Sequence, residues 1–219
     1  MAQITISGDT SGSITLVAPA ISGSSVLTLP VATDTLVGKA TTDTLTNKTL
    51  TSPTITGAVV SAMGSSILTS GTAVASTSGT SIDFTGIPSW AKRITVMLNG
   101  VSTNGVSPKL IQLGSTTITT TGYLSAGGTT SSTGNLVTAS TVGMLINSTL
   151  ATEIISGVIV LSNVSGNLWV ASGNGKVSAL NVFTTGGDIT LAGVLDRIRI
   201  TTTNGTDTFD AGSINIMYE

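Results

Sequence analysis

Residues 22–57 read SGSSVLTLPVATDTLVGKATTDTLTNKTLTSPTITG, a run whose bulky apolar content is thin and whose leucines stand apart. The tetrapeptide TDTL occurs twice, at 33–36 and 42–45. A lone chain cannot build a core from such a segment. The leucine spacing draws no amphipathic stripe, and the Ser, Thr, Gly and Pro content disfavours helix. The run is also too regular and too poor in charge for a solvated linker. The economical arrangement is intermolecular: identical chains lie side by side and point Leu29, Leu36, Leu45 and Leu50 at a shared axis. That arrangement is a fibre shaft.

Composition supports the same reading. Charged residues make up 8% of the chain, against about 25% in an ordinary soluble domain. Thr, Val and Ile suit pleated surfaces, and the 26 glycines serve turns, so the fold class is all-β. So little surface charge implies that much of each chain is covered by copies of itself, and the expected state is an oligomer. A length of 219 residues allows one sizeable domain plus an extended part. With net charge −2 and eight scattered basic residues, the chain lacks the clustered Lys and Arg that a phosphate backbone requires, so no nucleic-acid partner is expected. No run approaches the roughly 18 apolar residues of a membrane span, so no membrane insertion is expected. The opening MAQITISGDTSGS has neither the basic nor the apolar part of a signal peptide. With no cysteine, disulfide staples are excluded.

Three parts are predicted. Residues 1–30 form a small β anchor with strands at 4–7, 13–18 and 25–29. Residues 31–80 form the slender intertwined shaft and a neck of small residues. Residues 81–219 form a β-sandwich head, jelly-roll being one topology open to it. Within the head, 93–101 alternates with Ile94, Val96 and Leu98 on one face, and 196–203 places Ile198 and Ile200 inward with Arg197 and Arg199 outward. The last strand sets Ile214, Ile216 and Tyr218 on one side. GVIVLS at 157–162 predicts a strand buried on both faces. The dipeptides Asn99-Gly100, Asn104-Gly105, Asn174-Gly175, Gly186-Gly187 and Asn204-Gly205 predict turns between strands.

Four stretches carry a resemblance. DTLVGKATTDTLTNKTLTSPTITG at 34–57 resembles a shaft sequence that recurs in tail fibres of tailed bacteriophages. ISGDTSGSITLVAPAISGSSVLTLP at 6–30 resembles openings of phage structural proteins that look like small N-terminal anchors. DFTGIPSWAKRITVMLNGVSTNG at 83–105 and DRIRITTTNGTDTFDAGSINIMYE at 196–219 look like the C-terminal domain of tail-fibre-type proteins. The resemblance implies a homotrimeric virion protein, assembled in the host cytoplasm. Its N-terminus would join phage tail or baseplate proteins, and its head would meet a host surface glycan. Residues 123–140 are the least recognisable part, and in such proteins the variable part often sits near the receptor-binding tip.

Chemistry is sparse. Without histidine or cysteine there is no Ser-His-Asp or Cys-His triad and no usual zinc ligand set, so no enzyme activity, cofactor or metal is expected. A two-carboxylate glycosidase is formally open, and Asp207 and Asp210 are its best local pair. Against it, both read as turn-capping carboxylates. Trp169 reads as core, with Phe84, Phe183 and Phe209 nearby. Tyr123, in a turn-like TTGYLS, and Trp90, in a loop before a strand, are the candidate receptor contacts; Trp90 alternatively packs at the base of the head. Lys92, Arg93, Arg197 and Arg199 suit anionic polysaccharide, but equally the solvated face of edge strands. A neck, capsid or baseplate fibre is the alternative placement, and a polysaccharide-degrading enzyme the alternative class.

Overall fold

The structure, a computed structural model, describes residues 3–7, 10–17, 46, 49, 51 and 68–219, and every regular element among them is a β-strand. The chain divides into two units, Met1–Ala58 and Val59–Glu219.

In the first unit, β1 (Gln3–Ser7) and β2 (Ser13–Val17) pair antiparallel as a hairpin, with Ile6 opposite Ile14. Gly12 takes the positive φ of +84° that its turn requires. The strands expected at 4–7 and 13–18 are present. The strand expected at 25–29, nearly all of the shaft segment, and Leu29, Leu36, Leu45 and Leu50 lie outside the described residues.

The second unit holds fourteen strands among the described residues. In chain order they are β3 (Thr69–Ser70), β4 (Val74–Ala75), β5 (Ile82–Thr85), β6 (Arg93–Thr103), β7 (Lys109–Ser115), β8 (Thr117–Ile118) and β9 (Leu124–Ser131). There follow β10 (Gly134–Ser140), β11 (Met144–Ile146), β12 (Ile155–Ser165), β13 (Leu168–Lys176), β14 (Val182–Thr190), β15 (Arg197–Thr202) and β16 (Phe209–Tyr218). A nine-stranded antiparallel sheet runs β10-β9-β14-β13-β12-β6-β16-β3, with β4 also on β16. A five-stranded sheet runs β11-β7-β15-β5, with β8 on β7.

Alternation decides which side chains face the shared core. Ile94, Val96 and Leu98 of β6, Ile159 and Leu161 of β12, and Ile214 and Ile216 of β16 enter it from the large sheet. Ile111, Leu113, Ile198 and Ile200 enter it from the small one. Trp169, Phe84, Phe183 and Phe209 are buried with them. Each large apolar side chain so buried contributes about 1.5–3 kcal/mol before entropy is counted.

Three expectations need correction. The run at 157–162 is not buried on both faces: Val158 is 45% exposed while Ile159 and Leu161 are buried, so β12 alternates like its neighbours. Of the five predicted turns, only Asn104-Gly105 and Asn204-Gly205 lie between strands; Asn174-Gly175 sits inside β13 and Gly186-Gly187 inside β14. Asn99-Gly100 lies inside β6, where the register shifts against β12 and β16. Finally, the head begins before residue 81, because β3 and β4 extend the large sheet along β16.

Candidate functional site

Register gives the second unit a near and a far end. Thr69 of β3 pairs with Tyr218, and Tyr218 pairs with Ile94, so the chain joins the large sheet at that end. At the other end of the same strands, Phe209 pairs with Thr103 and Ile155 with Val101. Following the ladder outward, Ser156 pairs with Lys176, Lys176 with Val182, Val182 with Thr130, and Thr130 with Asn135. The β9–β10 turn and the 177–181 connection therefore both lie at the far end.

A groove of about 330 Å³ opens there. The turn at one wall is tightened by Ser131, whose hydroxyl meets the Thr133 hydroxyl at 3.1 Å and donates to the Gly134 carbonyl at 3.0 Å. Glu153 lines the groove although it is only 5% exposed. Its Oε2 accepts the Thr149 amide at 2.6 Å and the Leu150 amide at 3.1 Å, and its own amide donates to the Leu150 carbonyl at 3.1 Å. The carboxylate is thus fixed by the turn it closes. The remaining walls carry Asn181 and two leucines, Leu136 and Leu150, each at least half exposed; Asn135 borders the groove, but opposite Thr130 and Val182 its side chain alternates to the other face of the sheet. Among the described residues neither asparagine amide side chain is engaged in a hydrogen bond.

Behind the groove lies a buried lysine. Lys109, 1% exposed, donates from Nζ to the Ser148 hydroxyl at 2.8 Å. Burial pushes its amine below the ordinary 10.5, and the negative charges of Glu153, Asp207 and Asp210 oppose that shift. Next to Ser148, Asn147 is buried with both amide atoms unpartnered among the described residues. Asp207 accepts the Asn204 amide at 2.6 Å and the Ser107 backbone N–H at 3.0 Å, and these two bonds hold its carboxyl below the usual carboxylate range. Asp210 accepts the Ser102 hydroxyl. Asp207 therefore closes a turn, and Asp210 is tied to the neighbouring strand.

No protein-family model, curated protein or solved structure matches this chain. What the site can do is read from its own chemistry: a fixed carboxylate, a free amide, hydroxyls and two apolar patches suit hydrogen bonding to a polyhydroxylated ligand. Among the described residues, no group of three or more acidic side chains gathers to hold a metal ion.

The two aromatic candidates are elsewhere. Tyr123 is fully buried, so its ring offers no face to a receptor. Its hydroxyl accepts the Leu113 amide at 2.7 Å and lies 3.0 Å from the Thr119 carbonyl. Trp90 is half-buried against Tyr218, ring centroids 5.7 Å apart, at the near end; this is the packing role weighed for it. The three arginines are paired with acids: Arg199 makes a two-pronged bridge to Asp83 at 2.7 Å, Arg197 meets Asp196 at 2.7 Å, and Arg93 meets Glu219 at 3.1 Å, whereas Lys92 donates to the Asn163 amide oxygen at 3.5 Å. Sequence reasoning missed Glu153 and Asn181, which come from two separate connections. The one available signal was the low resemblance of 123–140, which contains the β9–β10 turn.

Proposed function

We propose that this protein is a homotrimeric tail fibre, or tail-associated appendage, of a tailed bacteriophage, that attaches the particle to a host surface glycan. One observation carries the reading: the chain joins the large sheet at one end, and the polar groove opens at the other. Within the second unit the groove is thus remote from the point where the chain enters the sheet. The sequence resemblance supplies the phage context.

The surface supports self-association. The outward face of the large sheet carries Val137, Leu124, Val182, Val170 and Val158, all exposed, and its charges include Lys176, Asp188 and the paired Arg93 and Glu219. Six neighbouring strands about 4.8 Å apart, overlapping over roughly eight residues, offer an area on the order of 700 Å². A standard interface takes about 800 Å² from each partner. In the first unit, Ile4 and Ile6 are exposed on a two-stranded hairpin. A hairpin of that size is marginal alone, which suits a segment that docks on a tail protein. The mechanism is avidity: several weak heads on one particle raise the effective concentration at the cell surface.

Light scattering coupled to size exclusion tests the reading on the full-length protein, together with binding of the fluorescently labelled protein to a panel of bacterial strains. A native mass near three times 21.8 kDa and saturable binding to some strains are expected. A trimer that binds no cell would move the protein to a neck, capsid or baseplate fibre. A monomer would remove the shared axis.

A further inference from the structure

The far-end groove joins a preorganised acceptor to groups that hold no partner of their own. Glu153 is fixed by two backbone amides through Oε2, so using its carboxylate on a ligand costs little side-chain entropy. Asn181 offers an acceptor oxygen and two N–H donors, the complement of a sugar hydroxyl that both donates and accepts. Leu136 and Leu150 expose apolar surface inside the same groove, which suits the C–H face of a pyranose ring.

Charge selects within the saccharides. No Lys or Arg lines the groove, and its one ionised group is the Glu153 carboxylate. The nearest ammonium, Lys109, is buried and directed at Ser148. An acidic sugar would meet like charge with no counter-ion, whereas neutral hydroxyls make charge-assisted bonds to a carboxylate. A volume of about 330 Å³ is at the small end of ligand sites, the size of one or two sugar rings.

We propose that the groove between the β9–β10 turn and the Thr149–Glu153 turn binds a neutral mono- or disaccharide unit, with Glu153 accepting from sugar hydroxyls and Asn181 flanking it. This rests on the attachment reading and names the chemistry of its ligand.

The test is saturation-transfer NMR on the full-length protein with a panel of neutral disaccharides built from glucose, galactose, mannose and N-acetylglucosamine, and with sialyllactose as the acidic comparison. Asn181→Ala is the variant of choice, because its side-chain amide contributes no bond to the fold. Transfer to at least one neutral sugar, little to sialyllactose, and an affinity weakened about tenfold in this variant with an unchanged melting temperature are expected. Glu153→Gln, which keeps the turn-capping shape, should weaken binding in the same direction. No transfer to any neutral sugar, equal binding by the Asn181→Ala variant, or preference for the acidic sugar would each overturn the proposal. Cell binding separates the two readings. An Asn181→Ala variant that binds cells as the wild type does would end the groove assignment and leave attachment standing. A wild type that binds no strain would end the attachment reading whatever the sugars do.

Discussion

The hydroxyl of Tyr123 completes hydrogen bonding that the small sheet leaves open. β8 is only two residues long, and beyond it Leu113 donates its amide to that hydroxyl at 2.7 Å. Tyr123→Phe would keep the ring and leave a buried N–H without an acceptor, which costs about 1–3 kcal/mol. A denaturation midpoint equal to the wild type would refute this. Burial also pushes the phenol up to about 12, with the Leu113 bond pulling weakly the other way. Because the folded value lies above the unfolded value of 10.0, this contribution is complete below pH 10 and is lost as pH rises towards about 12. The phenylalanine variant should lack that part of the alkaline decline. Lys109 behaves oppositely. Its folded value lies below 10.5, so the native state binds fewer protons than the unfolded chain between the two, and stability rises with pH across that interval. Lys109→Met fills the space without a charge, and is expected to be at least as stable as the wild type at neutral pH and to lose that upward slope. A clear loss of stability at neutral pH would mean that the Ser148 bond and the surrounding carboxylates outweigh the cost of burial.

At the scale of elements, strand alternation was legible because one face of each strand meets the core: β6, β15 and β16 follow the pattern read from Ile94, Val96, Leu98, Ile198, Ile200, Ile214 and Ile216. Glycine was not legible, because the same residue serves turns and close packing. A Cβ on Gly175 would stand 2.5 Å from the Phe183 ring and 2.6 Å from the Gly157 Cα, so this glycine lets an aromatic ring lie across two strands. Nothing in the dipeptide Asn174-Gly175 distinguishes that role from a turn. β3 and β4 were hidden for another reason: strands of two residues carry no period, and a partner at the far end of the chain supplies their pairing. The groove was hidden because its residues converge only after folding. The two short strands matter energetically. Gly71 N–H to Ile216 at 2.8 Å, Ser76 N–H to Gly212 at 3.0 Å and the Ser76 hydroxyl to Ala211 at 2.8 Å tie the segment down. A chain beginning at Ser81 also loses the Gly79 and Thr80 carbonyls, which accept the Phe209 amide at 2.8 Å and the Thr201 hydroxyl at 2.9 Å, and should be less stable than one beginning at Leu68 by about 5 kcal/mol, five such bonds at about 1 kcal/mol each. The shorter chain should also self-associate through the bared edge of β16. Matching denaturation midpoints for the two chains would show that β3 and β4 merely rest on the sheet.

For the whole molecule, the scarcity of charge and the shaft segment point the same way. With 8% charged residues and an apolar sheet face, a closed arrangement of copies would cover that face, and a threefold axis is one that closes. In the proposed trimer each of Leu29, Leu36, Leu45 and Leu50 would be removed from water by its two equivalents. Leu45→Asp tests this apart from the head, since it changes one shaft position and no residue of the groove or of the large sheet. Three carboxylates brought to one axis lose the leucine contacts, repel one another and must shed water. The loss is expected to reach roughly 2 kcal/mol per chain from the apolar term alone. Light scattering should then show the trimer mass falling towards 21.8 kDa on dilution, and the melting temperature should lie below the wild type's and fall on dilution. If the variant keeps both the wild-type mass and the wild-type melting profile, the leucines do not share an axis and any trimer is held by its heads.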